Sequence, residues 1–286
     1  MKLLKLVFVS TFLILIVVST DAQENKPWFF IQLTDTQFGM FEDNKGFAKE
    51  TELYEKAVAG INRLKPDFVV ITGDLVNDQN NRSQVAEFKR ITAGIRKDIP
   101  VFFVPGNHDI GQSPTQKEID IFISDYGSDR FSFTHKNGFF IGLNSCLIKS
   151  NTPVLEDIQL TWLKNELSKG KDSDHIILFT HYPFFIKTFD EPESYSNIGV
   201  ETRSKYLKIF KENVVNAVFA GHLHNNALAK YGDIDMITTN ATGKPLGNDP
   251  SGFRIVRVYG NKIETEFCSL DEIPESVWSM EQNLLR

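Results

Sequence analysis

Short apolar runs alternate with amphipathic segments along most of this chain, and that alternation is the strongest constraint on its fold. Compact runs of β-branched and aromatic residues suit strands, whereas apolar residues three and four apart suit helices. The pattern predicts strands at Trp28–Leu33, Phe68–Ile71, Val101–Val104, His175–Phe179 and Val214–Ala220. It predicts helices over Ala48–Leu64, Ser83–Ile95, Glu118–Tyr126, Leu155–Leu167 and Thr202–Asn213. Phe131–Phe133 and Phe139–Leu143 flank the turn pair Asn137-Gly138 and read as a hairpin. From there on, Ala227–Tyr231, Ile234–Thr238, Phe253–Val258 and Lys262–Phe267 add strand after strand. Such alternation calls for α/β architecture. With 286 residues and no repeat or linker, one large domain is the economical reading.

Where predicted strands end, the chain places Asp35-Thr36-Gln37, Gly73-Asp74, Gly106-Asn107-His108-Asp109, Thr180-His181-Tyr182 and Gly221-His222-Leu223-His224. Ligands of α/β folds collect at the carboxyl ends of strands, where loops vary over a rigid sheet. Gly73, Gly106 and Gly221 are expected there for their φ freedom. Carboxylate, amide oxygen and imidazole together suit Mn, Fe or Zn, and no thiolate is present in the blocks. A carboxylate can bridge two cations about 3.5–4 Å apart, and a neighbouring imidazole, here His108, can protonate a leaving oxygen. Taken singly, each block is weak, since a strand-end Asp is usually a cap or turn residue and His181 could sit in a core. His135 and His175 lie outside such blocks and read as structural or exposed.

The ordered set resembles the calcineurin-like metallophosphoesterase superfamily, whose pattern runs Asp-x-His, Gly-Asp, Gly-Asn-His-Asp/Glu, a later His and Gly-His-x-His. Within it the chain looks closest to an animal branch described as Ser/Thr phosphatases. The residues carrying that likeness are Asp35-Thr36-Gln37-Phe38-Gly39, Gly73-Asp74-Leu75 and Gly106-Asn107-His108-Asp109-Ile110-Gly111. Asp249-Pro250-x-Gly252-x-Arg254 and Ser269-Leu270-Asp271-Glu272 add to it. The resemblance implies a four-layer αββα sandwich of two mixed sheets. It implies Asp35 and His224 on a first divalent metal, Asp74 as the bridge, and Asn107, His181 and His222 on a second. His108 would be the general acid or would stabilise the leaving oxygen. The implied metals are Mn, Fe, Zn or Mg. The implied reaction is hydrolysis of a phosphomonoester, on a small molecule or a protein, by a metal-bound hydroxide. Phosphodiester hydrolysis on nucleotide or lipid head-group substrates is one alternative, and a degenerate phosphate-binding member is another.

Two departures from the pattern shape these expectations. Gln37 stands where the family has His; a neutral amide is a weaker ligand for zinc or iron, which favours Mn or Mg at a looser first site. Asn77 stands where the protein-phosphatase branch has an Asp that orients the catalytic His, and that branch's phosphate-holding Arg is absent. Arg82, Arg203 and Lys244 are candidates to replace it, against a reading as surface charges. Tyr195 and Asn197, in the irregular stretch Tyr182–Val200, are expected near substrate, against a reading as loop packing.

At the start of the chain, Lys2 and Lys5 precede and enter an apolar segment whose core runs from Leu6 to Ser19, and Thr20-Asp21-Ala22 follows with small residues. This predicts a signal peptide cleaved after Ala22, with an uncleaved anchor as the alternative. Cleavage would leave an exported phosphoesterase domain spanning 23–286, periplasmic or secreted, with no membrane span. Cys146 and Cys268 each end an apolar, strand-like run, lack metal-ligand spacing, and read as buried free thiols, although export would permit a bridge. A net charge of −6 without a basic run excludes an extended nucleic-acid surface.

Overall fold

The computed structural model describes residues 26–278, and the predicted signal peptide lies outside them. In chain order the elements are β1 (Trp28–Leu33), α1 (Ala48–Leu64), β2 (Val69–Thr72), α2 (Arg82–Thr92), β3 (Val101–Val104) and α3 (Asn107–Ile110). Next come α4 (Gln116–Tyr126), β4 (Phe131–His135), β5 (Gly138–Gly142), α5 (Ser145–Ser150), α6 (Leu155–Lys169) and β6 (His175–Phe179). The last are α7 (Val200–Glu212), β7 (Ala217–Ala220), β8 (Ala227–Tyr231), β9 (Ile234–Thr238), β10 (Gly252–Tyr259) and β11 (Lys262–Ser269).

The strands form a five-stranded sheet, ordered β11-β10-β1-β2-β3, and a six-stranded sheet, ordered β4-β5-β6-β7-β9-β8. In the first, β1, β2 and β3 run parallel, β10 is antiparallel to β1, and β11 turns back antiparallel to β10. In the second, β5, β6, β7 and β9 run parallel between antiparallel edge strands β4 and β8. Both sheets are mixed, and helices flank them.

Strand periodicity sorts the apolar side chains into two layers. Phe29, Ile31 and Leu33 of β1, and Ile176 and Leu178 of β6, pack in the larger cluster that includes the helices. The alternate residues Trp28, Phe30, Ile177 and Phe179 meet between the sheets, joined by Phe68, Phe140 and Phe219. Phe residues dominate this inter-sheet layer, with Phe102, Phe131 and Phe133 packed at its margin. Phe30 stacks on Phe68 at 4.8 Å, and Phe179 on Phe219 at 5.7 Å. Toward the ends of β1 and β2 the same layer turns polar. Buried Gln32 donates to Thr72 Oγ1 at 2.8 Å and to the Ala220 carbonyl, and Thr239 Oγ1 accepts from Arg254 Nε at 2.8 Å.

Several boundaries differ from the sequence expectation for local reasons. Helix α2 starts at Arg82 because Asn81 Oδ1 accepts the Ser83 and Gln84 N–H groups. Strand β7 starts only at Ala217, since Val214 is exposed with a left-handed φ of 54°. The short helices α3 and α5 were not expected. In α5, Cys146, Leu147 and Ile148 are consecutive buried apolar residues, which mimic a strand in sequence. Cys146 therefore sits on a helix rather than at a strand end, and both cysteines are free and buried. His175 is buried with Nε2 on the Gly260 carbonyl, and His135 pairs with Asp67.

Truncating Phe179 to Ala would open a cavity between the sheets. The expected cost is about 3–5 kcal/mol of unfolding free energy, read from denaturant titration.

Candidate metal centre

The chain leaves β1, β2, β3, β6 and β7 at one common edge of the sandwich, and Asp35, Asp74, Asn107, His181, His222 and His224 follow those strand ends directly. All six are buried. Two groups converge, Asp74–His181–His222 and Asp35–Asp74–His224, with the ligand atoms of each within 4.8 Å of one another and Asp74 common to both.

Each carboxylate is held by donors on one oxygen. Asp35 Oδ2 accepts from Thr34 Oγ1 at 2.6 Å and from the His222 N–H at 2.9 Å, while its Oδ1 lies 3.3 Å from His224 Nε2. Asp74 Oδ1 accepts the His108 N–H at 2.8 Å, and its Oδ2 lies 3.3 Å from His181 Nε2. The imidazoles are oriented from behind. His181 Nδ1 donates to the Thr72 carbonyl at 2.9 Å, and His224 Nδ1 to the Lys244 carbonyl. A carbonyl can only accept, so the proton sits on Nδ1 and Nε2 turns toward the carboxylates.

These groups fit divalent cations. Asp35 Oδ1, His222 Nε2 and Gln37 Oε1 are buried without a hydrogen-bond partner. Asn107 Oδ1 lies 3.1 Å from His181 Nε2, so acceptors face acceptors unless a proton or a cation stands between them. Burial opposes charge on His181, but Asp74 and then Asp35 push it up to about 9 without metal. His224 is likewise raised by Asp35 against its burial. His222 is pushed down to about 4, by burial first and His181 second. Burial would raise Asp74, yet His181, His108 and His222 outweigh it and hold the carboxyl well below its usual range.

The backbone at this edge is strained. Asp35 (φ 51°), Asp74 (49°), His222 (71°) and His224 (50°) all adopt left-handed conformations, uncommon outside glycine although Asp and His enter them more readily than most residues. The glycines serve mainly by their size. Gly73 alone of the three has a positive φ, 85°, and a Cβ there would lie 2.8 Å from His181 Nδ1. At Gly221 a Cβ would meet Thr34 Oγ1 at 1.8 Å. Gly106, with φ −105°, would place one 2.2 Å from Asp74 Oδ1. The expectation of φ freedom at all three is corrected accordingly.

Around the cluster, Asp109 had no expected role and proves to be a clamp. Its carboxylate accepts from the Leu75, Val76 and Gly106 N–H groups and ties the β2 loop to the β3 loop. Burial first and Asp74 second push it up to about 8. Residue 77 contributes its backbone where the protein-phosphatase branch would use a side chain: the Asn77 carbonyl lies 2.8 Å from His108 Nδ1. The Asn77 side chain meanwhile accepts from Gln37 Nε2 at 3.0 Å, which leaves Gln37 Oε1 free to face a cation. The Asp249–Arg254 motif braces the turn after His224, since Asn226 accepts from Arg254 and donates to Asp249.

Of the residues expected near substrate, the structure brings only Tyr195 to the cluster. Its hydroxyl lies 3.3 Å from Asn107 Nδ2 and its ring centroid 4.8 Å from that of His222. Asn197 and Arg203 are corrected to loop scaffolding. Arg203 is fully buried and donates to the carbonyls of Ile198, Phe189 and Glu191. Asn197 donates to Glu191 and Pro192 and accepts the Ser194 N–H. Arg82 pairs with Asp125 on the surface, and the Lys244 ammonium lies 5.6 Å from the Phe41 ring centroid.

Residues 30–226 match the calcineurin-like phosphoesterase family. The chain belongs to that family. It is 37% identical over 275 residues to the human serine/threonine-protein phosphatase CPPED1, covering 89% of this chain and 88% of that one. A probable cyclic nucleotide phosphodiesterase of Pseudoalteromonas is 29% identical over 221 residues, 72% of this chain and 76% of its own. Among solved structures, a dimetal phosphatase from Danio rerio superposes with a TM-score of 0.65 at 14% identity, over 86% of this chain and 97% of that one. The chain is thus a metal-dependent phosphoesterase with a dinuclear-type His/Asp site.

Metal analysis after manganese reconstitution tests the shared ligand. Asp74→Asn is expected to lose both ions, whereas His224→Ala should retain about one per chain. Because His181 keeps its proton up to about 9 in the metal-free protein, metal must displace it at neutral pH. Apparent affinity should rise up to about tenfold per pH unit per displaced proton until that pH is passed. Calorimetry in buffers of different ionisation enthalpy would register the released proton.

Proposed function

We propose that this chain is an exported phosphomonoesterase acting at two divalent ions held by Asp35, Asp74, Asn107, His181, His222 and His224. The observation that carries the reading is the pair of buried clusters sharing Asp74, with His108 beside them. Bound cations would supply Lewis acidity to the phosphoryl oxygens and acidify a water. The protein's own part is to aim and to move protons. Asn77 pins His108 through Nδ1, so Nε2 is the nitrogen that hands a proton to the departing oxygen. The His108 backbone N–H fixes the shared carboxylate of Asp74, so acid and ligand move as one unit.

Manganese is our choice of metal, supported by the neutral Gln37 amide at the first site. Export is supported by the segment from Lys2 to Ala22 and leaves a phosphoesterase domain over 23–286. A phosphorylated metabolite or phosphoprotein would be the substrate. The Pseudoalteromonas relative favours phosphodiesters as the second reading.

The test is made on protein recovered from the exported fraction, whose mass should place its first residue at Gln23. With manganese it should hydrolyse aryl monoesters faster than matched diesters. His108→Ala should lower kcat by about 10²–10⁴-fold with metal content unchanged, and less for good leaving groups. Equal turnover by the variant would remove His108 from the mechanism.

A further inference from the structure

The irregular stretch between β6 and α7 is built as a rigid strap. Glu191 accepts the Ile186 and Lys187 N–H groups at 2.8 Å each, and also binds Asn197. Arg203 grips the strap from α7, and Lys149 of α5 donates to the Ser194 and Asn197 carbonyls at 2.6 Å each. Ser194 and Asn197 are thereby fixed on either side of Tyr195. All of this polar bonding serves the loop's own scaffold, and none of it uses the Tyr195 side chain.

Tyr195 is 54% exposed, yet it sits against two candidate ligands of one metal, Asn107 and His222. The Asn107 amide nitrogen can only donate, so the Tyr195 oxygen accepts and its own O–H remains free to donate outward. Among the described residues no acceptor is paired with that proton. An exposed phenol immobilised by a braced loop, with its O–H free beside a cluster that would hold divalent cations, is complementary to an anion with several oxygens.

We propose that Tyr195 is a phosphoryl-binding residue whose hydroxyl donates to a non-bridging phosphate oxygen seated over Asn107 and His222. The proposal rests on the phosphoesterase reading and adds a substrate contact to it. The hydroxyl does the work of a phosphate-holding cation here, since Arg82 and Arg203 are engaged elsewhere and the Lys244 ammonium lies over the Phe41 ring. A neutral donor holds the phosphoryl group without adding positive charge beside the metals, and so without competing with them for Asp35 and Asp74.

The test compares manganese-loaded wild type with Tyr195→Phe in calorimetric titration with inorganic phosphate and in kcat/KM for an aryl phosphate. The expected result is an affinity for phosphate about 10- to 100-fold weaker and a matching loss in kcat/KM. Metal content and unfolding midpoint should stay at wild-type values. Phosphate binding within twofold of wild type would overturn the proposal while leaving the phosphoesterase reading intact. Loss of metal in the variant would also overturn it, by making Tyr195 a positioning group for the ions. A wild type that neither binds phosphate nor turns over esters would defeat the phosphoesterase reading itself, and this contact with it.

Discussion

The carboxylate of Asp74, buried and common to both ligand groups, is the constraint around which the rest of the structure is arranged. An ionised carboxylate costs several kcal/mol to remove from water unless charge and donors surround it. Here Asp35 lies in the same buried space, so the cost is met twice within one cluster. The fold answers with backbone N–H groups at His108 and His222, the Thr34 hydroxyl, and three imidazoles whose outer nitrogens can take a proton or a cation. Left-handed backbone at four of the ligands brings those groups close enough. Such strain persists only where surrounding structure over-determines it, and the bonds between the β1 and β2 loops do that, with Asp35 N–H on Gly73 O and Gln37 N–H on Asp74 O.

Beneath the cluster, the inter-sheet layer changes character along its length. Stacked Phe rings fill most of it and give a rigid, water-free base. Near the strand ends Gln32, Thr72, Thr239 and Arg254 take over as a satisfied polar ladder. That ladder reaches Asn226 and so the turn carrying His222 and His224. The ligands therefore stand on sheet strands and on loops tied back into the core. Packing strength and site precision come from the same two sheets.

Much of this was legible in the sequence because it is local. Short apolar runs marked the strands, apolar residues at helical spacing marked the helices, and the ordered Asp, Asn and His blocks marked strand ends. What misled was local as well. Cys146 reads as the end of a strand-like run but lies in the helix α5, and Val214 belongs to the exit of α7 rather than to β7. Asn197 was drawn toward substrate because polar residues in a long loop suggest recognition, and Arg203 because a phosphate-holding Arg was missing elsewhere. Their bonding partners are carbonyls and N–H groups of the same loop, which no spacing rule reveals.

The sequence by itself determined the residue types of the centre, their order along the chain and their attachment to strand ends, since these follow from short-range pattern. Tertiary structure decided which ligands share a space, that Asp74 belongs to both groups, and that glycines 106 and 221 are there for room rather than for φ. It decided that the Asn77 carbonyl pins His108, and that the scaffolding of a loop delivers Tyr195 to the cluster. The physical reason is range. Backbone preference and periodicity act over a few residues, whereas burial and the facing of acceptors arise only when strands distant in sequence end at the same edge.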